Sequence, residues 1–151
     1  MSEKPNLVFR TATRADLPAV LQLYAQPSID DGITLPLAQA ERIFERMQRY
    51  PDYTLHVAER EGAVVGSIAL LIMDNLGHMG APSAVVEDVV VDPACQRQGI
   101  GRAMLAYVLD IARSRGCYKL ALSSNQKRVD AHAFYESLGF RRHGYSFVVE
   151  A

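Results

Sequence analysis

Residues 85–105 have the sequence VVEDVVVDPACQRQGIGRAML. The β-branched run Val89–Val91 predicts a buried strand, which Pro93 ends. Gly99 and Gly101 then open a helix, and they let the backbone approach a ligand without an intervening Cβ. The free N–H groups and the positive dipole end of such a helix point back at the turn. This arrangement is typical of a phosphate or pyrophosphate site.

Two common nucleotide-binding motifs are missing from this turn, which restricts the identity of the phosphate ligand. Arg97 and Arg102 add positive charge, but a plain strand-to-helix connection with packing glycines remains an alternative. A P-loop would need Gly-Lys-Ser or Gly-Lys-Thr, which the chain does not contain. A dinucleotide fingerprint would need a small residue where Met104 stands and a carboxylate after the next strand, which ends at Asn125. The pattern therefore favours neither ATP nor NAD.

Composition indicates one domain over residues 1–151. The chain is 49% hydrophobic with a net charge of −1, so it can bury a sizeable core and lacks the basic excess of nucleic-acid binders. The longest apolar run, Ile68–Met73, is too short to cross a membrane. Residues 1–6 lack the apolar core of an export signal. We therefore expect neither a nucleic-acid partner nor a membrane partner.

The cysteines and histidines predict no metal site. Cys95 and Cys117 match no zinc spacing, and two free thiols fit a reducing cytoplasm. Cys95 adjoins the phosphate turn, so a nucleophilic thiol is an alternative interpretation. The four histidines are too scattered to form a ligand cluster: His56, His78, His132 and His143.

Hydrophobic periodicity predicts an α/β fold. Strands are predicted at Leu7–Ala12, Tyr53–Arg60, Ala63–Met73, the stretch that ends at Val91, Cys117–Ser123 and Phe140–Val149. Helices are predicted from the capping box Thr13–Asp16 onward and at Leu37–Tyr50, Gly99–Arg115 and Val129–Leu138. The hairpin is antiparallel and the helical crossover implies a parallel pair. This order predicts a three-layer α/β/α sandwich around a mixed, mainly antiparallel sheet with one central parallel pair.

Two segments resemble the GNAT superfamily of acyl-CoA-dependent N-acyltransferases. Gln96–Gly101 matches the family signature Gln/Arg-x-x-Gly-x-Gly/Ala. Ala131–Phe140 matches the later signature Ala-x-x-Phe-Tyr-Glu-x-x-Gly-Phe, with one predicted strand between the two. The element order also fits, so the resemblance covers nearly the whole chain.

The resemblance implies acetyl-CoA as the cosubstrate. The edge of the strand at Val89 and Val91 would pair with the pantetheine amides, and an N–H near Val89 would polarise the thioester carbonyl. Asn125 is a candidate pantetheine contact, although many family members carry asparagine where this chain has Arg128. The pyrophosphate would lie on the turn: Gln96, Arg97, Gln98, Gly99, Ile100, Gly101, Arg102 and Ala103.

Tyr135 matches the family's tyrosine that protonates the departing thiolate. The acceptor amine attacks directly, so no covalent enzyme intermediate is expected. The alternative interpretation of Tyr135 is a core aromatic packed against Phe134 or Leu138.

Glu87 is the candidate base that takes a proton from the ammonium, directly or through water. Alternation along the strand places it on the same face as Val89 and Val91. Asp88, expected to point the other way, is the second candidate. His78 and His132 are further candidates, and a solvated or ion-paired Glu87 is the alternative.

The substrate prediction comes from two finer resemblances. Val86–Val91 and Cys117–Lys119 look like glucosamine-6-phosphate N-acetyltransferases, and Asn125–His132 looks like aminoalkylphosphonate N-acetyltransferases. Both groups acetylate a small primary amine that carries a phosphorus oxyanion. Lys127 and Arg128 are candidates to meet that anion, while the 3′-phosphate of CoA and plain solvent remain open alternatives.

Two other functions compete with acetylation of a small amine. One is acetylation of a protein lysine or N-terminal amine, and the other is a non-catalytic acyl-CoA sensor. Retention of Tyr135 and Glu87 argues against the sensor. The resemblance also implies a homodimer, which the apolar last strand supports: Tyr145, Phe147, Val148 and Val149.

Overall fold

A computed structural model of the chain describes residues 6–27 and 29–151. It divides into two compact units, Met1–Ala121 and Leu122–Ala151, and each is described by itself. Residues 1–5, on which most of the export-signal prediction depends, lie outside the described residues. One domain over residues 1–151 stays a prediction.

The first unit is a five-stranded sheet with helices on both faces. The strand order is β1-β2-β3-β4-β5, antiparallel except for the parallel pair β4–β5. The strands are β1 Leu7–Thr11, β2 Tyr53–Arg60, β3 Ala63–Met73, β4 Ser83–Val91 and β5 Leu120–Ala121. The helices are α1 Leu17–Tyr24, α2 Leu37–Met47 and α3 Ile100–Ser114, and α4 Val129–Ser137 belongs to the second unit. The predicted α/β fold with a mixed sheet is confirmed.

The two faces of the sheet bury different helices. On one face, Val20 of α1 and Phe44 of α2 pack with Ala69 of β3 in one apolar cluster. On the other face, α3 lies close to β3. A Cβ added to Gly66 of β3 would be only 2.9 Å from Met104 Sδ of α3. Glycine at position 66 therefore sets the separation between α3 and the sheet.

The β2–β3 hairpin agrees with the prediction to the residue. Arg60 pairs with Ala63, and the two turn residues Glu61 and Gly62 have φ of 52° and 79°. Positive φ at both positions is the geometry of the two-residue turns that suit twisted antiparallel strands. Because the turn is local in sequence, its residues alone were enough to predict it.

The predicted last strand is wrong. Residues 140–149 carry no helix or strand, and Tyr145, Phe147, Val148 and Val149 are 88–96% exposed. Alternating apolar residues are compatible with a strand, but they do not supply the neighbouring strand that completes its hydrogen bonds. The strand predicted at Cys117–Ser123 is also shortened to β5. Because no strand of the described residues pairs with the other side of β5, the parallel pair lies at the edge of the sheet and not in its centre.

Candidate active site

The segment from β4 to α3 forms a tight turn with two left-handed residues. Asp92 Oδ1 accepts the Ala94 N–H at 2.9 Å, which fixes a short 3₁₀ turn at Pro93–Cys95. Arg97 and Gly99 then have φ of 64° and 81°. Left-handed backbone is uncommon for a non-glycine residue such as Arg97 and often marks a functional constraint.

The turn presents backbone donors and positive charge together. The first backbone bond at the start of α3 runs from the Ala103 N–H to the Gly99 carbonyl at 3.0 Å. The N–H groups of Ile100, Gly101 and Arg102 precede it and have no carbonyl inside the helix to bind. A Cβ on Gly99 would meet no atom within 4 Å, so the space above the turn is open. These features fit a diphosphate, as predicted for residues 96–103.

Sequence reasoning missed Arg60 at this turn. Arg60 ends β2, and its Nη1 donates to Gln98 Oε1 at 2.7 Å. The two residues are separated by 38 positions in the chain, so no local pattern indicates their contact.

A β-bulge interrupts β4 at Asp88 and Val89. Glu87 pairs with Ala69 and Val90 pairs with Ser67, so Ile68 alone lies opposite the two bulge residues. Asp88 has φ of 51°. A bulge leaves backbone groups outside the regular ladder, which is consistent with a free N–H near Val89.

The bulge overturns one prediction about Glu87. Ala69 and Ser67 are two residues apart on β3, so their partners Glu87 and Val90 share a face of the sheet. Val91 pairs with Gly66, three residues from Ala69, so Glu87 and Val91 are on opposite faces of the sheet and not on the same face as predicted. Period-two alternation fails here because the strand contains one extra residue, which a sequence pattern does not reveal.

Two tyrosines lie on the α1–α2 side of the sheet, and sequence reasoning missed both. Tyr24 and Tyr53 pack against the cluster that contains Ala69, the partner of Glu87. Burial raises the pKa of Tyr53, and the carboxylates of Asp88 and Glu87 raise it further. Tyr24 ends α1 and Tyr53 begins β2, and neither position carries a sequence signal for a functional role.

Asp88, in the bulge of β4, has a raised pKa. Burial raises the pKa of Asp88, and the charge of Asp30 raises it further. Burial is also the main cause of the raised pKa of Tyr24, with Asp88 as the next contributor. A carboxylate with a raised pKa holds its proton more tightly and is a stronger base once ionised.

The end of α1 is tied to the end of β4. Gln26 Nε2 donates to the carbonyl oxygen of Val91 at 3.0 Å. The backbone oxygen of Val91, a predicted pantetheine contact, therefore already accepts one hydrogen bond.

In the second unit, Tyr135 lies on α4 among aromatic rings. Its ring centroid is 5.4 Å from that of Phe134 and 5.9 Å from that of Phe140. Burial raises the pKa of Tyr135, while Arg128 opposes the shift. The phenol is therefore protonated at neutral pH, as a general acid must be. The aromatic contacts are equally those of a packing residue.

Asn125 organises the start of α4. Its Oδ1 accepts the Lys127 N–H at 2.9 Å, and its carbonyl lies 2.8 Å from His132 Nε2. A cavity of about 380 Å³ is lined by residues 127–131. Lys127 and Arg128 are exposed and form no ion pair with any residue that the structure describes.

His78 is exposed in the 3₁₀ turn His78–Gly80 of the first unit. Its ring stacks on Tyr118 with centroids 4.1 Å apart. The β3–β4 connection that carries it is separate from the bulge of β4, so the structure does not group His78 with Glu87 and Asp88.

Among residues 6–27 and 29–151, no group of three histidines, cysteines or carboxylates could hold a metal ion. No helix within the same ranges is long and apolar enough to span a membrane. Cys95 and Cys117 are both free thiols.

Residues 17–140 match the model of the Acetyltransferase (GNAT) family, and the chain therefore belongs to that family. It is 43% identical over 82 residues to a glucosamine 6-phosphate N-acetyltransferase of Trypanosoma brucei brucei, which is 54% of each chain. It is 35% identical over 97 residues to an aminoalkylphosphonate N-acetyltransferase of Salmonella typhimurium, which is 64% of this chain and 62% of the relative.

A third relative acts on a protein. The [Ribosomal protein bS18]-alanine N-acetyltransferase of Escherichia coli is 44% identical over 112 residues, which is 71% of this chain and 76% of that one. The chain spans between half and two thirds of the first two relatives, so their substrates enter only as proposals. The resemblance stated from the sequence is confirmed at the level of the family.

Proposed function

We propose that the protein transfers an acetyl group from acetyl-CoA to the primary amine of a small molecule that carries an anionic group. One observation carries the proposal: the bulge at Asp88–Val89 and the left-handed turn at Arg97–Gly99 lie on the same strand-to-helix segment. The bulge offers backbone N–H groups to a carbonyl, and the turn offers backbone N–H groups to a diphosphate. When bound, acetyl-CoA supplies an activated acetyl thioester.

The residues of the first unit bind and orient the cosubstrate. The N–H groups of Ile100, Gly101 and Arg102 donate to the diphosphate, and the guanidinium groups of Arg97 and Arg102 add charge. An N–H at Val89 donates to the thioester carbonyl, where negative charge develops during attack. No covalent bond to the protein is required, because the amine attacks directly.

The proton of the incoming ammonium goes to a carboxylate of β4. Glu87 is the proposed base, and it acts directly or through one water. Asp88 is the second candidate, since burial raises its pKa toward the range in which a carboxylate accepts protons well. In the second unit, Tyr135 is the proposed acid, supported by its raised pKa and by the family signature.

The anionic part of the substrate is proposed from charge and from the relatives. Lys127 and Arg128 are exposed cations without a carboxylate partner among the described residues. The names of two relatives specify acceptors with a phosphorus oxyanion. A guanidinium such as that of Arg128 suits a phosphate or phosphonate, because it donates two parallel hydrogen bonds.

A second candidate function is acetylation of a protein N-terminal amine. It is favoured by the likeness to the enzyme that acts on ribosomal protein bS18, which covers more of this chain than the other two relatives do. With either acceptor, Glu87 would accept the proton of the amine and the turn would bind acetyl-CoA.

The test is release of free CoA thiol from acetyl-CoA in the presence of a panel of amines. The panel contains glucosamine 6-phosphate, an aminoalkylphosphonate, their phosphorus-free analogues and a peptide with N-terminal alanine. Turnover with the phosphorus-bearing amines alone supports the proposal, and turnover with the peptide alone supports the second candidate. Binding of acetyl-CoA without turnover of any acceptor would contradict both and favour a sensor.

We also propose a cytoplasmic homodimer. Two free thiols suit a reducing compartment. The exposed apolar side chains between Tyr145 and Val149 suit an interface between two copies. Sedimentation at micromolar concentration should give a dimer, and a monomer alone would contradict the proposal.

A further inference from the structure

Arg60 binds a neutral side chain, unlike the arginines of the described residues that bind a carboxylate. Its Nη1 donates to the side-chain oxygen of Gln98, which is a neutral amide. Five other arginines of the described residues are ion-paired with a carboxylate: Arg10, Arg14, Arg113, Arg115 and Arg142. An amide partner orients the guanidinium but leaves its charge uncompensated.

The position of Arg60 brings that charge to the phosphate turn. Arg60 is the last residue of β2, and the β2–β3 hairpin lies at the same end of the sheet as the end of β4. The Asp92 N–H donates to the Val65 carbonyl at 2.8 Å, which joins the start of the turn to the strand that leaves the hairpin. Gln98 itself stands between the left-handed residues Arg97 and Gly99.

The guanidinium of Arg60 retains donors for a ligand. It carries five N–H donors in a planar fork, and the contact with Gln98 uses one of them. Arg60, Arg97 and Arg102 form no ion pair with any carboxylate that the structure describes. Arg97 and Arg102 belong to the turn and to the first turn of α3, whereas Arg60 comes from another strand.

We propose that Arg60, oriented by Gln98, binds a phosphate group of CoA and is a cofactor-binding residue that lies outside the family signature. The inference rests on the proposed function, because it takes the turn as the CoA site. The phosphate is either the diphosphate or the 3′-phosphate, which present the same chemistry to a guanidinium.

Calorimetric titration of the full chain tests the inference with three ligands: CoA, dephospho-CoA and pantetheine. Arg60→Met should raise the Kd for CoA about ten- to a hundredfold, the range expected for a charge-assisted hydrogen bond. Arg60→Lys should recover part of the loss. Arg49→Met, which removes an exposed charge after α2, is the matched control and should change Kd little.

The ligands identify the phosphate. A loss with CoA but not with dephospho-CoA assigns Arg60 to the 3′-phosphate, and an equal loss with both assigns it to the diphosphate. The loss should shrink in 1 M salt, because an exposed charge is screened. An unchanged Kd for CoA in Arg60→Met, or an equal loss with phosphate-free pantetheine, would overturn the inference. A wild-type chain that binds no CoA would instead overturn the proposed function.

The role of Gln98 has its own readout. Gln98→Ala should weaken CoA binding less than Arg60→Met does, because the charge remains. The two changes together should weaken it less than the sum of the separate effects, since both act on one group. Strict additivity would contradict an orienting role for Gln98.

Discussion

The two segments that carry the family signature differ in how their chemistry is built. Residues 85–105 contain a bulge and three left-handed residues, Asp88, Arg97 and Gly99. In the second unit, Gly139, after α4, has a positive φ, and the assignments rest on the side chains of Tyr135 and Arg128. In the first segment the proposed function depends on an unusual backbone conformation, which a sequence pattern predicts poorly. In the second segment it depends on the identity of side chains, which the sequence gives directly.

The largest effect is expected in the second segment. Tyr135→Phe should lower kcat about 10²- to 10⁴-fold, the usual range for losing a general acid. Binding of acetyl-CoA should change little, because the phenol oxygen is assigned to proton transfer. Tyr145→Phe is the matched control, since Tyr145 is 92% exposed in the same unit. Full turnover by Tyr135→Phe, measured by thiol release, would make Tyr135 a packing residue.

Glu87→Gln tests the base in the first segment. At neutral pH it should lower kcat/KM by about a hundredfold, at the lower end of the range for acid–base catalysis. Activity should recover as the pH rises, because the substrate amine then loses its proton to solvent. Asp88→Asn is the comparison variant. A pH profile that is unchanged in Glu87→Gln but altered in Asp88→Asn would transfer the role to Asp88.

Gly99→Asp tests whether the left-handed turn binds the cosubstrate. The side chain would place negative charge in the open space above the turn and strain the backbone at φ of 81°. The Kd for acetyl-CoA should rise at least about a hundredfold, since two charge-assisted hydrogen bonds contribute roughly 1.5–3 kcal/mol each.

Gly116→Asp is the control for strain alone. Gly116 has φ of 73° and likewise nothing within 4 Å of its Cβ position, but it follows the C-terminal end of α3. Both variants should lose similar thermal stability, and only Gly99→Asp should lose affinity. Equal affinity in the two variants would remove the turn from the cofactor site.

Arg128→Ala tests the anionic substrate assigned to the second segment. It should raise KM for a phosphorus-bearing amine about ten- to a hundredfold while kcat changes less, because a charge-assisted contact contributes about 1.5–3 kcal/mol. The KM for a neutral amine of the same size should not change. Arg141→Ala is the control for the change in net charge. If acetyl-CoA binding weakens and amine selectivity persists, Arg128 serves the cofactor.

The smallest effect concerns the stability of the first segment. The pKa of Asp88 is raised in the folded protein, so the folded state binds its proton more tightly than the unfolded state does. Above the pKa of the unfolded state, the ionised carboxylate therefore lowers the free energy of unfolding. This loss of stability disappears as the pH falls and the carboxyl becomes protonated. Asp88→Asn should therefore raise the free energy of unfolding at pH 7, by no more than about 1 kcal/mol for this partly exposed side chain, and Tm should rise slightly with it.

The control for that stability effect is Asp52→Asn. Asp52 has φ of 55°, but its contact with Arg115 lowers its pKa. The Asp52→Asn variant should be slightly less stable than the wild type at pH 7, whereas Asp88→Asn should be slightly more stable. A lower Tm for Asp88→Asn would show that the carboxylate stabilises the bulge.

The sequence predicted local features better than contacts between distant segments. The hairpin turn at Glu61–Gly62 and the helix that opens after Gly99 depend on neighbouring residues, and both were predicted correctly. The bulge at Asp88–Val89 depends on register with β3, and the contact of Arg60 with Gln98 joins distant parts of the chain. The prediction of a strand at Phe140–Val149 failed for the same reason. Alternation of apolar residues does not show which distant strand, if any, would pair with the segment.

The most direct measurement of the central claim is the response of backbone amides to acetyl-CoA in ¹H–¹⁵N NMR spectra. The resonances of Gly99, Ile100 and Gly101 should shift on saturation, because these N–H groups are proposed to bind the diphosphate. Acetyl-pantetheine, which has no phosphate, should shift them far less. Resonances that stay in place at saturating acetyl-CoA, or that shift equally with acetyl-pantetheine, would contradict the assignment of this turn.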